Sequence, residues 1–141
     1  MASTTQVLGK HHVIIRDRIL FILLCMMLDE IDSNKADYEA INSFSSEWRE
    51  YREFGFGPGV VNVELEDIVQ NQKARLEFDN LLSCAEKQIA SWGTAIPKEI
   101  LDKKYKFYGI KYLEDLDTSH ITSAIDKIKE LLQKHDGETQ E

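Results

Sequence analysis

The chain has 141 residues and a mass of 16.3 kDa, the size of one ordinary domain with enough surface to bury a core. Apolar residues make up 43% and charged residues 30%, with two prolines and seven glycines, which excludes disordered, collagenous and low-complexity architectures. The net charge of −8 and the isoelectric point near 5.0 speak against direct binding of a nucleic acid, whose phosphates call for a basic surface.

Residues 1–9 are small and polar and are expected as a flexible tail. A first helix is predicted over 12–31. Its stretch 19–28 carries no charge and is apolar nearly all round, as a central buried helix should be. Ten residues are too short to span a bilayer, which needs about 20. A secretory leader is also disfavoured: Asp17 interrupts the basic flank, and Leu28-Asp29-Glu30 stands where small residues should permit cleavage.

A second helix is predicted over 36–54. Tyr38, Ile41, Phe44, Trp48 and Tyr51 share one stripe, with Glu39, Ser43, Ser46, Glu50 and Glu53 on the opposite, wet face. Gly55-Phe56-Gly57-Pro58-Gly59 cannot continue a helix, and it lacks the Lys-Ser/Thr ending of a phosphate loop. It reads as a turn anchored by one aromatic. Residues 60–63 are expected to be briefly extended. A short helix follows over 64–69, with Asn62 as its candidate N-cap. The clearest helix spans 72–92, where Phe78, Leu81, Leu82, Ala85, Ile89 and Trp92 repeat on one face and Gly93 supplies the stop. Pro97 opens a short helix to about 104. Residues 105–113 are ambiguous between strand and loop. Thr118 or Ser119 caps a last helix striped by Ile121, Ala124, Ile125, Ile128, Leu131 and Leu132, and 136–141 is expected as a flexible tail. The predicted fold is a mainly α, single-domain (1–141) helical bundle of five or six helices, with room for one short β-hairpin.

Cys25 and Cys84 lie in apolar helical stretches and belong to no CxxC pair, so they read as reduced thiols in a cytoplasmic protein. His11 and His12 are adjacent and diverge on a helix, and Asp117/His120 at i, i+3 lacks a second pair to complete a metal site. HExxH and GxSxG are absent, and neither cysteine has a histidine nearby in sequence. These absences assign no catalytic residue, no metal ligand and no cofactor, and point away from an enzyme.

One carboxylate pattern stands out. Glu47-x-x-Glu50 is followed after 13 residues by Glu64-x-x-Asp67. This spacing resembles the paired-carboxylate signature of the all-α nucleotide pyrophosphohydrolases of the MazG and dUTPase-like group. The resemblance implies magnesium held by these four acids against a nucleotide's phosphates. The helical wheel opposes it, because Glu50 lies opposite the aromatic stripe and Glu47 only at its edge.

Charge is unevenly spread. Residues 29–67 hold eleven acids and three bases, so the whole net charge of −8 lies there and the remainder of the chain is balanced. The same segment carries Trp48, Tyr51, Phe54 and Phe56. A one-sign field with aromatic anchors suits a docking surface for a basic protein, charge steering the encounter and aromatics holding the complex. The competing reading is an ordinary solvated acidic face, with Trp48 and Tyr51 in the core.

Size, acidity, the acids clustered around Glu47-Trp48-Arg49-Glu50-Tyr51-Arg52-Glu53 and the missing catalytic set together resemble the small immunity proteins of bacterial polymorphic-toxin and contact-dependent inhibition systems. The resemblance implies a non-enzymatic cytoplasmic inhibitor that covers one cognate toxin, basic and of nuclease type, without touching nucleic acid or membrane itself. Such proteins share no single fold, so no residue role carries over from them. The partner-binding candidates named from the charge pattern are Glu47, Glu50, Glu53, Phe56, Glu64, Glu66 and Asp67.

Overall fold

The computed structural model describes residues 2–106 and 112–139. Most of the ambiguous stretch 105–113 lies outside the described residues. The fold is mainly α, with seven α-helices among the described residues and an antiparallel hairpin.

The hairpin stands where the sequence suggested neither strand. β1 (Ser3–Leu8) pairs with β2 (His11–Arg16), from Ser3↔Arg16 to Leu8↔His11. The flexible tail expected over 1–9 is therefore corrected to a strand, and the helix expected from residue 12 begins only at Asp17. The physical reason is a period of two: Thr4, Gln6 and Leu8 face inward while Ser3, Thr5 and Val7 face out. Val13-Ile14-Ile15 adds the β-branched residues that favour a strand. Gly9, at φ +62°, takes the first position of the two-residue turn.

α1 (Asp17–Ser33) is the central helix, and every residue from Ile19 to Leu28 is buried. It packs against α3 (Ser46–Phe54), α5 (Gln72–Trp92) and α7 (Ser119–Thr139). The single helix expected over 36–54 is divided into a 3₁₀ turn at Lys35–Asp37, α2 (Glu39–Asn42) and α3. The break falls in a Ser- and Asn-rich stretch whose side chains bond the local backbone instead: Ser43 Oγ donates to the Ala40 carbonyl at 2.6 Å and Ser45 Oγ to that of Asn42 at 2.7 Å. Tyr38, Ile41 and Trp48 still reach the core, because the break re-aims the chain without turning the stripe outward.

Residues 60–63 belong to no helix or strand, and burial alternates along them, with Val61 and Val63 fully buried. They are fastened to β1 by side chains. Gln6 Nε2 donates to the Val61 carbonyl at 2.8 Å, and the Val63 N–H donates to Gln6 Oε1 at 3.0 Å. The Val61 N–H donates to Thr4 Oγ1 at 3.1 Å, and Thr4 in turn donates to the buried Asp17. Asp17 also accepts the N–H of Gly59 at 2.7 Å, where φ is +74°. Two inward polar side chains thus stand in for a strand's backbone ladder and satisfy groups that burial would otherwise orphan.

α4 (Leu65–Val69) leads into α5, and Asn71 caps α5 by accepting from the Ala74 N–H at 3.0 Å. Beyond α5, β3 (Ala95–Ile96) pairs with β4 (Leu116–Asp117) around α6 (Lys98–Lys104). The flexible tail expected from 136 is also corrected. α7 runs to Thr139, Asp136 makes a two-pronged pair with Arg75 at 2.8 and 2.9 Å, and Glu138 meets His11 at 2.6 Å.

Candidate functional site

α3 is built in two halves. Trp48 is fully buried, its Nε1 donating to the Val63 carbonyl at 3.3 Å and its ring 6.4 Å from that of Phe78. Arg49 and Arg52 turn toward α1, where Arg49 meets Asp32 at 2.9 Å and Arg52 meets Asp32 at 3.2 Å and Asp29 at 3.5 Å. The bases interleaved with the acids in sequence are therefore taken up by α1. These pairings remove equal numbers of each sign, so the acidic excess stays on the other carboxylates of the segment.

Tyr51 organises the outward side. Its hydroxyl donates to the Val60 carbonyl at 3.0 Å, accepts from the Asn62 N–H at 3.2 Å and lies 3.4 Å from Glu47 Oε2. The loop after α3 is thereby drawn across the helix, and Glu64 comes beside Glu47 and Asp67. The Glu64 carboxyl is pushed up to about 7, first by burial, then by hydrogen bonding with Glu47 and its negative charge, and then by Asp67. Glu64 also holds a left-handed backbone, φ +66°, with its N–H donating to Asn62 Oδ1 at 2.8 Å. Asn62 therefore closes the turn before α4 rather than capping the helix.

Three of the four spaced carboxylates thus share one place, and Glu50 stands about 60° further round α3. Among the described residues no group of three or more His, Cys, Asp or Glu has the arrangement to hold a metal ion. Glu66 turns toward the hairpin and accepts the Gly9 N–H at 3.3 Å. Among the described residues no lysine or arginine pairs with Glu47, Glu50, Glu53, Glu64, Glu66 or Asp67.

The two aromatics that follow Tyr51 take different places. Phe56 is half-buried, its ring centroid 5.4 Å from Phe21 and 5.9 Å from Tyr51, so it anchors the turn inward. Phe54 is 70% exposed. At 100° per residue it falls between Glu47 and Glu50, on the last turn of α3. The signal was available in the sequence, since positions 47, 50 and 54 share a face. The Tyr51 hydroxyl bridge had no signal, because it depends on where the loop returns.

Family models, characterised proteins and solved structures were all compared with the chain, and none matches it. Of the two cysteines, Cys25 is buried and its thiol is pushed up to about 12 by that burial, which makes it a poor nucleophile. No helix among the described residues is long and apolar enough to cross a membrane.

Proposed function

We propose that the chain is a non-enzymatic inhibitor that docks a basic protein partner on the outer face of α3 and α4, in the manner of an immunity protein covering a nuclease-type toxin in the cytoplasm. The observation that carries this reading is an exposed aromatic, Phe54, set among carboxylates that have no cationic partner among the described residues. Unpaired acids speed encounter with a basic surface, and an exposed aromatic supplies the apolar area that holds it.

The test needs the basic C-terminal domain of a large protein encoded immediately upstream. Wild-type chain is expected to bind that domain more weakly as salt rises. Glu50→Lys with Glu53→Lys is expected to abolish binding while the fold is kept, and Phe54→Ala to cost about 2 kcal/mol, chiefly through faster dissociation. Binding at unchanged affinity by the charge-reversed double variant would sink the reading.

The second reading is a magnesium-dependent nucleotide pyrophosphohydrolase: Glu47, Glu64 and Asp67 lie together, against which stand the separate place of Glu50 and the lack of a metal-holding arrangement among the described acids. Magnesium-dependent release of pyrophosphate from a nucleotide panel, lost in Glu64→Gln, would replace the inhibitor by the enzyme.

A further inference from the structure

We propose that the pocket between β2 and the first half of α7 binds a phosphate group, free or carried on a small molecule. The site is separate from the acidic face of α3 and α4, and its reading does not depend on that face. The pocket has a volume of about 210 Å³. α7 lends it one face, His120, Ser123, Ala124 and Lys127, at i, i+3, i+4 and i+7. Ile15, Arg16 and Ile19 close it from the junction of β2 with α1. Its floor is apolar, since Ile15, Ile19 and Ala124 are all buried.

The sign of its polar groups sets this pocket apart. In a chain of net charge −8, every titratable side chain that lines it is a base, and no acid lines it. Arg16, His120 and Lys127 form no ion pair among the described residues. Lys127 is held without being neutralised: its Nζ donates to the Ile14 carbonyl at 3.1 Å, which leaves two of its three N–H groups for a ligand. The Arg16 guanidinium has neither a hydrogen bond nor an ion pair among the described residues. The acids of this end of α7, Asp117, Asp126 and Glu130, line the neighbouring groove, which Ser123 and Lys127 divide from the pocket. Asp117 feels the charge of His120, but its carboxylate is taken up by the Ser119 N–H at 2.9 Å.

The edge of β2 supplies a second, independent observation. The Asp17 N–H donates to the Ala2 carbonyl at 3.1 Å, so in the register Ser3↔Arg16 the Arg16 N–H points away from β1, to the edge that α7 flanks. The same alternation turns the Ile14 carbonyl to that edge, where Lys127 takes it up. The pocket therefore gathers a backbone donor, an ammonium, a guanidinium and the Ser123 hydroxyl over an apolar floor. A cation would meet only bases there. A carboxylate would use one of the two permanent charges, whereas a phosphate dianion uses both and has oxygens left for the hydroxyl and the backbone N–H. A long polyanion would carry its further phosphates against a chain of net charge −8, so the chemistry that fits is a single phosphate group.

Two sources can supply this chemistry: inorganic phosphate, or a small phosphomonoester whose carbon body lies on the floor. The experiment titrates the full chain with inorganic phosphate, with glycerol 3-phosphate and with acetate at constant ionic strength, following backbone amide resonances. The expected result is a saturable shift confined to the end of β2 and the first half of α7, given by the phosphates and not by acetate. Arg16→Gln and Lys127→Gln remove exposed charges and should keep the fold, and each is expected to weaken binding at least about fivefold. Lys73→Gln lowers the net charge equally, away from the pocket, and is expected to leave the affinity unchanged. Tighter binding of the ester identifies a phosphomonoester, and equal binding identifies the free ion. The proposal is overturned if neither phosphate shifts these amides, if acetate matches them, if a folded Arg16→Gln or Lys127→Gln variant binds as the wild type does, or if Lys73→Gln weakens binding as much as they do.

Discussion

Glu64 shows at a single residue how the acidic face is assembled. Its carboxyl rises from the ordinary 4.5 to about 7 because the return of the loop half-buries it beside Glu47 and Asp67. A raised folded-state value means that the proton is held more tightly in the folded chain. The stability this confers is complete below about 4.5 and is lost as the pH rises through about 7. Glu64→Gln keeps the hydrogen bonds and removes the charge. It is expected to match the wild type in acid and to exceed it on the alkaline side of neutrality by on the order of 1 kcal/mol, well short of the full linkage value because solvent screens the site. Urea denaturation across that pH range checks this, and a difference flat in pH would disprove it. Spacing put Glu64 and Asp67 on one helix face, but their place beside Glu47 was suggested only by the resemblance to a paired-carboxylate signature and opposed by the helical wheel, because it depends on where the loop returns. The turn anchored by one aromatic was legible too, and Phe56 fills that place against Phe21 and Tyr51.

At the level of elements, the long helices were legible and the hairpin was not. The stripe from Phe78 to Trp92 gives α5 its limits, and the stop at Gly93, φ +77°, is where the structure ends it. The N-terminal strands were hidden because Thr4 and Gln6, both polar, occupy inward positions, so the alternation does not read as apolar and polar. Their inward placement makes sense only with residues 59–63 alongside, a partner more than fifty positions away. Gln6→Leu is therefore expected to destabilise the chain by roughly 2–4 kcal/mol, since it leaves the Val61 carbonyl and the Val63 N–H buried and unpaired. Thermal or urea unfolding measures it. Deleting residues 2–9 separates strand from tail more sharply: loss of a tail would leave the unfolding midpoint where it is, whereas loss of β1 removes buried Leu8 together with the ladder and is expected to prevent folding.

Across the whole molecule, charge is divided by position in the fold. Residues 2–16 contain no acid, and the basic side chains at the hairpin turn, Lys10 and His11, are met by Glu138 from the far end of α7. Arg75 and Asp136 join α5 to α7, and Arg49 and Arg52 join α3 to α1, so ion pairs between elements neutralise both ends of the core. The outer face of α3 and α4 keeps carboxylates with no cationic partner among the described residues, and Glu47, Glu64 and Asp67 lie beside one another there. Such a face repels itself, and salt screens that repulsion: the Debye length falls from about 30 Å at 0.01 M to about 8 Å at 0.15 M. Salt also weakens the exposed ion pairs, but each contributes less than about 1 kcal/mol, and their attraction acts over shorter distances than the summed field of the unpaired acids. The melting temperature is therefore expected to rise as salt is added over that range, and the rise should flatten in the Glu50→Lys, Glu53→Lys double variant. A melting temperature that falls with salt would show that the ion pairs outweigh the acidic face. The face would then store too little repulsion for a basic partner to relieve, and the electrostatic part of the docking argument would fail with it.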